Sequence, residues 1–507
     1  MKVRSIRRLL AGVLGFAVAA TAAHAQSAPT FKMTTDIPPG IAIPPSVDTR
    51  LGTLKFFDGF PDKPTVEKIY DNLDFQRAVQ AYLLALAPVN VAGLRDGLLK
   101  VGPANVTIPT FEQNLDARSI FLTPNATTPY TWIWIDLHKG PLVVEVPPMT
   151  LGMIDDFWFK YVTDIGIVGP DKGQGGKYLL LPPGYKDKAP EGYHVVRVPT
   201  FESILVWRNM PVKGDIKPAI ANLKKFTRIY PLSQAANPPA NNFVNVSGRA
   251  FSTVAPADYQ FWELLNYVVQ NEPVESLDPV TLGFFASIGI EKGRPFAPDA
   301  RMKKILTEAA VVGDATARTI TYQSRIPEAF YYPNSTWRRW LGGYRFQSQP
   351  GVSYLDAAAF FYFYATGVTP AMEAKMVGQG SQYAVGIVDA RGDPLDGGKT
   401  YRLHVLPNAP AKDFWSAIVY DNQTRSMLQT DQAFPQVSSL DKGLLVNSDG
   451  SVDVYFGPRA PAGKENNWIQ TIPGKGWNML FRLYGPLDPW FDKTWKLSEI
   501  VLVNSHE

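Results

Sequence analysis

Leu122-Thr123-Pro124-Asn125-Ala126-Thr127-Thr128-Pro129-Tyr130 opens the stretch, residues 122–185, that decides the fold. The run 131–137 follows, rich in aromatic and β-branched residues. The turn His138-Lys139-Gly140-Pro141 leads into 142–146 and the loop Pro147-Pro148. Asp156-Phe157-Trp158-Phe159 comes next. Then come Gly169-Pro170-Asp171-Lys172-Gly173-Gln174-Gly175-Gly176-Lys177, the apolar run 178–181, and Pro182-Pro183-Gly184-Tyr185. Short apolar runs bounded by glycine and proline are strands joined by tight turns. That is the pattern of a β-sandwich or jelly roll.

Working outward, strands are expected near 119–122, 130–137, 142–146, 157–162, 177–181, 193–198 and 203–207. Before them, 66–87 reads as a helix, because Phe75, Val79, Tyr82, Leu83 and Leu86 share one face; Pro88 is expected to end it. Residues 26–65 are Pro-rich and read as an extended arm or a disordered lead-in. Helical patterns return at 213–226, 258–270, 279–288, 298–324 and 353–365, the last apolar nearly all round and so expected in a buried place. From Tyr383 the chain is strand-like again. The predicted class is α+β: two β-sandwich, jelly-roll-like domains with a helical middle segment. The boundaries expected are a leader at 1–25, the arm at 26–65, a helix plus first sandwich at 66–250, a mainly helical middle at 251–375, and a second sandwich at 376–507.

The two β regions repeat an order of features. Each has Asp-Phe-Trp opening a strand (Asp156-Phe157-Trp158; Asp413-Phe414-Trp415), and each ends in an apolar strand closed by arginine, at Arg208 and at Arg482. Related design and shared β grammar both account for this.

The first 25 residues read as a secretory leader, with Lys2, Arg4, Arg7 and Arg8, an apolar middle, and the cleavage pattern Ala23-His24-Ala25. Periplasmic or secreted localisation follows as an expectation. No later run is expected to be long and apolar enough to span a bilayer. The 507-residue chain has 50 Lys+Arg against 46 Asp+Glu; without the leader's four basic residues it has 46 of each sign. Such balance argues against a nucleic-acid partner. There is no cysteine, which excludes disulfides, thiolate metal sites and a Cys nucleophile.

Thr123-Pro124-Asn125 to Tyr130, Asp136-Leu137, Gly140-Pro141 and Asp164-Ile165-Gly166 resemble a bacterial domain of unknown function, number 1254. Leu395-Asp396-Gly397-Gly398-Lys399-Thr400-Tyr401, Asp413 to Ser416, Asn467-Trp468 and Arg482-Leu483-Tyr484-Gly485-Pro486 resemble its usual companion, number 1214. The resemblance implies an exported protein with two β-rich domains, and a lipolytic or esterase activity has been suggested for members. The family usually has an acid where this chain has Thr127.

No Gly-x-Ser-x-Gly, His-Glu-x-x-His or P-loop is present. No metal site and no cofactor are expected. The weak catalytic candidates are Asn125, Thr128, Lys177, Ser381 and His404; Ser381, Asp389 and His404 have triad residue types, but a triad is defined by geometry. The binding candidates are Tyr130, Tyr362, Tyr364, Asn467, Trp468 and Arg482. For Arg482, in an apolar strand, a structural ion pair is the default. Residues 447–453 and 173–177 read as turns before they read as ion sites. Two functional readings stand: an exported hydrolase of esters or other small hydrophobic substrates working between the β domains, or a non-catalytic envelope module binding glycan, lipid or protein.

Overall fold

The computed structural model describes residues 31–212, 215–339 and 343–503; the stretch read as a leader, 1–25, lies outside them. The chain divides into two units, one ending at Ile69 and one beginning at Tyr70. In the first, part of the stretch read as an extended arm folds instead into a small antiparallel sheet of Ser46–Thr49, Gly52–Phe57 and Phe60–Pro61.

The first helix is also longer than expected. It runs Lys63–Leu99, straight through Pro88. Proline cannot donate to the carbonyl four residues back and costs about 3 kcal/mol inside a helix. Beyond it, Val89, Val91, Leu94 and Leu98 are all buried, each contributing about 1.5–3 kcal/mol, so packing overrides the break. By length and composition this helix could cross a membrane, contrary to the expectation above, but 72% of its apolar window is buried in the protein.

The first sandwich packs a six-stranded sheet on a four-stranded one. The larger has the order Asn242–Asn245, Thr107–Thr110, Tyr130–Asp136, Glu202–Asn209, Thr150–Asp156, Tyr161–Gly166; the smaller, His194–Arg197, Gly176–Leu181, Leu142–Val146, Arg228–Pro231. Side chains alternate across a strand. Ile133, Ile135, Leu205 and Trp207 therefore enter the sandwich core, while Trp132, Trp134, Ile204 and Val206 leave by the opposite face.

The second sandwich packs two four-stranded sheets. Ser381–Gly386, Trp477–Pro486, Ala411–Asp421 and Gln436–Ser438 form one sheet; Trp468–Gln470, Val452–Gly457, Tyr401–Val405 and Ile500–Leu502 form the other. Met479, Phe481 and Leu483 face the sandwich core, and Leu480 faces away.

The outward faces of the six-stranded sheet and of the sheet containing Trp477–Pro486 share one central core with the helices. Trp132, Val206, Ile418 and Leu480 belong to it, as do Phe360 and Tyr364 of the helix Leu355–Tyr364. A sheet buried on both faces loses its polar alternation, which is why Tyr130–Asp136 is apolar almost throughout. The helix Ala300–Tyr322 meets Lys63–Leu99 closely at Gly313, where an added Cβ would lie 2.4 Å from the Tyr82 ring. Gly313→Ala should destabilise the protein by about 1–3 kcal/mol through overpacking. A lowered urea midpoint would agree; an unchanged one would mean the helices have room to part.

Candidate functional site

Glu202–Asn209 and Trp477–Pro486 are interior strands of the two sheets that face the central core. The alternation that sends Trp207 and Phe481 into the sandwich cores sends Arg208 and Arg482 to the shared side. Register then sets their neighbours: Arg208 lies opposite Tyr130, and Arg482 opposite Tyr383. Between the sheets is a cavity of about 50 Å³ lined by Tyr130, Trp132, Arg208, Ser381, Tyr383 and Arg482, with Thr123, Asp164 and residues of 365–372 completing it. That is room for roughly three or four waters, or for a carboxylate and its first carbon.

Neither guanidinium has a carboxylate within 4.0 Å among the described residues. Arg482 is 2% exposed; it donates to the Tyr420 hydroxyl and, at 2.7 Å, to the carbonyl of Thr123. Thr123 has φ of 39°, a left-handed conformation that strains a β-branched residue. Arg208 lies over the rings of Tyr130 and Tyr484, at 5.2 and 5.5 Å, and its Nε has no partner. The Trp132 Nε1–H, in the same wall, is also unpartnered. Burial opposes both charges, but the phenols around them, Tyr130 and Tyr420 foremost, more than offset it, and both stay above arginine's ordinary value. The structural ion pair expected for Arg482 is therefore absent, because hydroxyls and a carbonyl surround it instead. Arg425 and Arg338 are buried without carboxylates too, but Arg425 donates to the carbonyls of Phe363 and Gln423, and neither lines this cavity.

One acid reaches the cavity. Asp164 accepts from Thr369 Oγ1 and, at 3.3 Å, from the Tyr161 hydroxyl. Burial lifts its pKa to about 6 against those bonds. Nearby, Asp155 Oδ2 accepts from Val368 N at 2.8 Å, and burial raises this acid well above its ordinary value. The two acids tether the segment 365–371 that forms one side of the cavity.

Of the residues singled out from sequence, Tyr130, Ser381 and Arg482 meet in this cavity. Asn125 and Thr128 sit just behind it, bonded to each other at 2.7 Å in a buried turn. Thr127, at the acid's usual position, donates to Gln436 at 3.0 Å. Tyr362 lines a different, larger cavity. Tyr364 is buried and donates to Asn478. The remaining candidates lie elsewhere. Lys177 is on the smaller sheet of the first sandwich, 3.2 Å from Glu145. His404 is on the sheet of the second sandwich that does not carry Arg482, 2.8 Å from Asp453. Asn467 holds loop backbone at Leu445 and Asp453, and Trp468 donates to Gly457. Ser381, Asp389 and His404 form no triad: Ser381 Oγ bonds the Tyr383 hydroxyl at 2.7 Å, and Asp389 accepts from the backbone of Arg391 and Asp393. Among the described residues no cluster of three or more metal-ligating side chains exists. Arg208, Trp132, Asp164 and Thr123 were not singled out as site residues. The signal for Arg208 was its counterpart position to Arg482.

Residues 106–231 match the family model described as Protein of unknown function (DUF1254), and residues 380–488 that described as Protein of unknown function (DUF1214). Each span covers most strands of one sandwich and contributes one of the two arginines. Among solved structures, the VPA0106 protein from Vibrio parahaemolyticus aligns at TM-score 0.53 and 19% identity, over 85% of this chain and 100% of its own; the likeness is one of fold. An uncharacterized protein from Burkholderia cenocepacia aligns at TM-score 0.36 and 12% identity, over 86% of this chain and 96% of its own. No curated protein matches.

Four buried acids hold protons more tightly than they would unfolded. Burial raises Asp155 well above its ordinary value, Asp156 and Asp164 to about 6, and Glu272 to about 8. Between the unfolded and folded values the native state binds more protons, so their contribution to stability is lost as pH rises through that window. The thermal midpoint should be higher near about pH 5.5 than near about pH 8, and Glu272→Gln should narrow the gap. A midpoint that climbs toward pH 8 would contradict the assignment.

Proposed function

We propose that this chain, which pairs a DUF1254 domain with a DUF1214 domain, is an exported module that binds a small organic anion in the cavity between its sandwiches. One observation carries the reading: two guanidiniums from different domains, Arg482 buried and Arg208 half-buried, line one cavity, and among the described residues neither has a carboxylate within 4.0 Å. Taking a cation out of water without a partner costs several kcal/mol. A bound anion would offset that cost, and the unpartnered Arg208 Nε and Trp132 Nε1 would each gain an acceptor. A planar fork of donors suits a carboxylate. The export part of the reading rests on the leader pattern ending at Ala25.

A second reading, ester hydrolysis, draws on Ser381, whose Oγ is bonded to the Tyr383 hydroxyl beside Arg482. Arg482 could polarise an acyl carbonyl there. No histidine lines the cavity, and that weighs toward binding without turnover. Hydrolysis of p-nitrophenyl acetate that disappears in Ser381→Ala would favour the enzyme; turnover unchanged by that substitution would remove Ser381 from consideration.

Acetate is the probe for the binding reading. Calorimetry should show saturable binding to the intact protein, at least about tenfold weaker in Arg208→Met and Arg482→Met. In acetate-free buffer the thermal midpoints of these variants should be equal to or above wild type, since each removes an unpaired buried charge. Affinity should rise as pH falls through about 6, because Asp164 shares the cavity with Arg208, Arg482 and the phenols of Tyr130 and Tyr383 and loses its repulsion when protonated. Variants that unfold more easily in every buffer while acetate binding persists would make the arginines structural.

A further inference from the structure

A second, larger cavity of about 660 Å³ opens beside the first, within the range of small-molecule sites. Its apolar lining comes from Leu83, Leu84 and Pro88 of the first helix, with Trp158, Phe285 and Phe346; the charged Lys160, Arg345 and Asp356 line it as well. Leu83 and Leu84 are only half-buried, so this apolar surface lies uncovered inside the protein.

Two elements join the cavities. Tyr161 lines the large one, and its hydroxyl bonds Asp164, which lines the small one. The helix Leu355–Tyr364 presents Tyr362 to the large cavity, and its continuation at Ala365–Gly367 borders the small one. The helix ends at Tyr364 and Ala365 is extended, so the chain passes from one cavity wall to the other within three residues. Tyr161 is half-buried, packs edge-on to Tyr344 at 5.4 Å, and its hydroxyl also accepts from Asp164 N at 3.0 Å, so a ligand joining the cavities displaces these contacts.

We infer that the two cavities receive one ligand, an amphipathic carboxylate whose charged head sits between Arg208 and Arg482 and whose apolar tail occupies the larger cavity past Tyr161. This rests on the anion reading above and adds the substrate class. The head site alone is too small to distinguish acetate from longer acids; the tail site supplies that selectivity by burying methylenes.

The test is a chain-length series of acetate, butanoate, hexanoate, octanoate and decanoate, titrated into wild type, Arg482→Met and two variants that fill the larger cavity from different walls, Leu83→Trp and Thr281→Trp. In wild type, affinity should rise by about threefold to fourfold per methylene from butanoate to octanoate. Leu83→Trp and Thr281→Trp should bind acetate as wild type does and lose that gain, with circular dichroism unchanged. Arg482→Met should weaken every member. Acetate binding with no gain along the series would overturn the tail site and leave the anion site standing. A gain that survives both tryptophans, or an octanoate affinity indifferent to Arg482→Met, would overturn the joined ligand. Absence of binding by any acid, acetate included, would bring down the anion site first and this inference with it.

Discussion

Two guanidiniums held between two sheets, contacted by phenols and a carbonyl rather than by a carboxylate, are the constraint on which the rest of this structure turns. Arginine does not shed its proton on burial. The fold must therefore either carry the desolvation cost or provide for a counter-ion. It provides dipoles: the hydroxyl of Tyr420, the carbonyl of the strained Thr123, and the faces of Tyr130, Tyr383 and Tyr484. The only acid in the cavity wall among the described residues, Asp164, is turned to Thr369 and Tyr161. What remains is a preorganised positive space with unpartnered donors, and such a space is complementary to an anion.

The architecture explains how this arises from two separate domains. Each places an arginine on an interior strand with a tyrosine directly across the ladder, Arg208 with Tyr130 and Arg482 with Tyr383. Neither domain makes the cavity alone. The helix Leu355–Tyr364 and the segment after it complete the wall, tethered by Asp155 and Asp164. Those acids are poised by burial, so the tether and the charge of the cavity respond to the same protons.

Much of the fold was legible from period and punctuation. Tyr130–Asp136, Leu142–Val146 and Trp477–Pro486 stand where alternating or continuous apolar runs predicted strands, and the seam between the β-rich halves does hold a polar cavity. Pro88 misled, because a local breaker is outweighed when the helix beyond it is buried on most sides. The sheet at 46–61 was hidden by prolines around it. Of the site, Arg482 and Tyr130 could be read because polar residues in an apolar strand stand out. Their role could not: whether a buried arginine meets an acid depends on which strand of a distant domain faces it. Lys177, His404 and Asn467 have plausible chemistry but sit in turns or on the sheets that do not carry the two arginines, and spacing along the chain carries no record of sheet membership. Arg208 had a signal in the repeated strand closed by arginine.

The most direct measurement is anomalous diffraction from crystals of the whole protein equilibrated with bromoacetate or sodium bromide. The account predicts a bromine peak in the cavity with Arg208 or Arg482 donating to the bound anion. Clear density showing only water there, or a side-chain carboxylate swung in to pair either guanidinium, would contradict it.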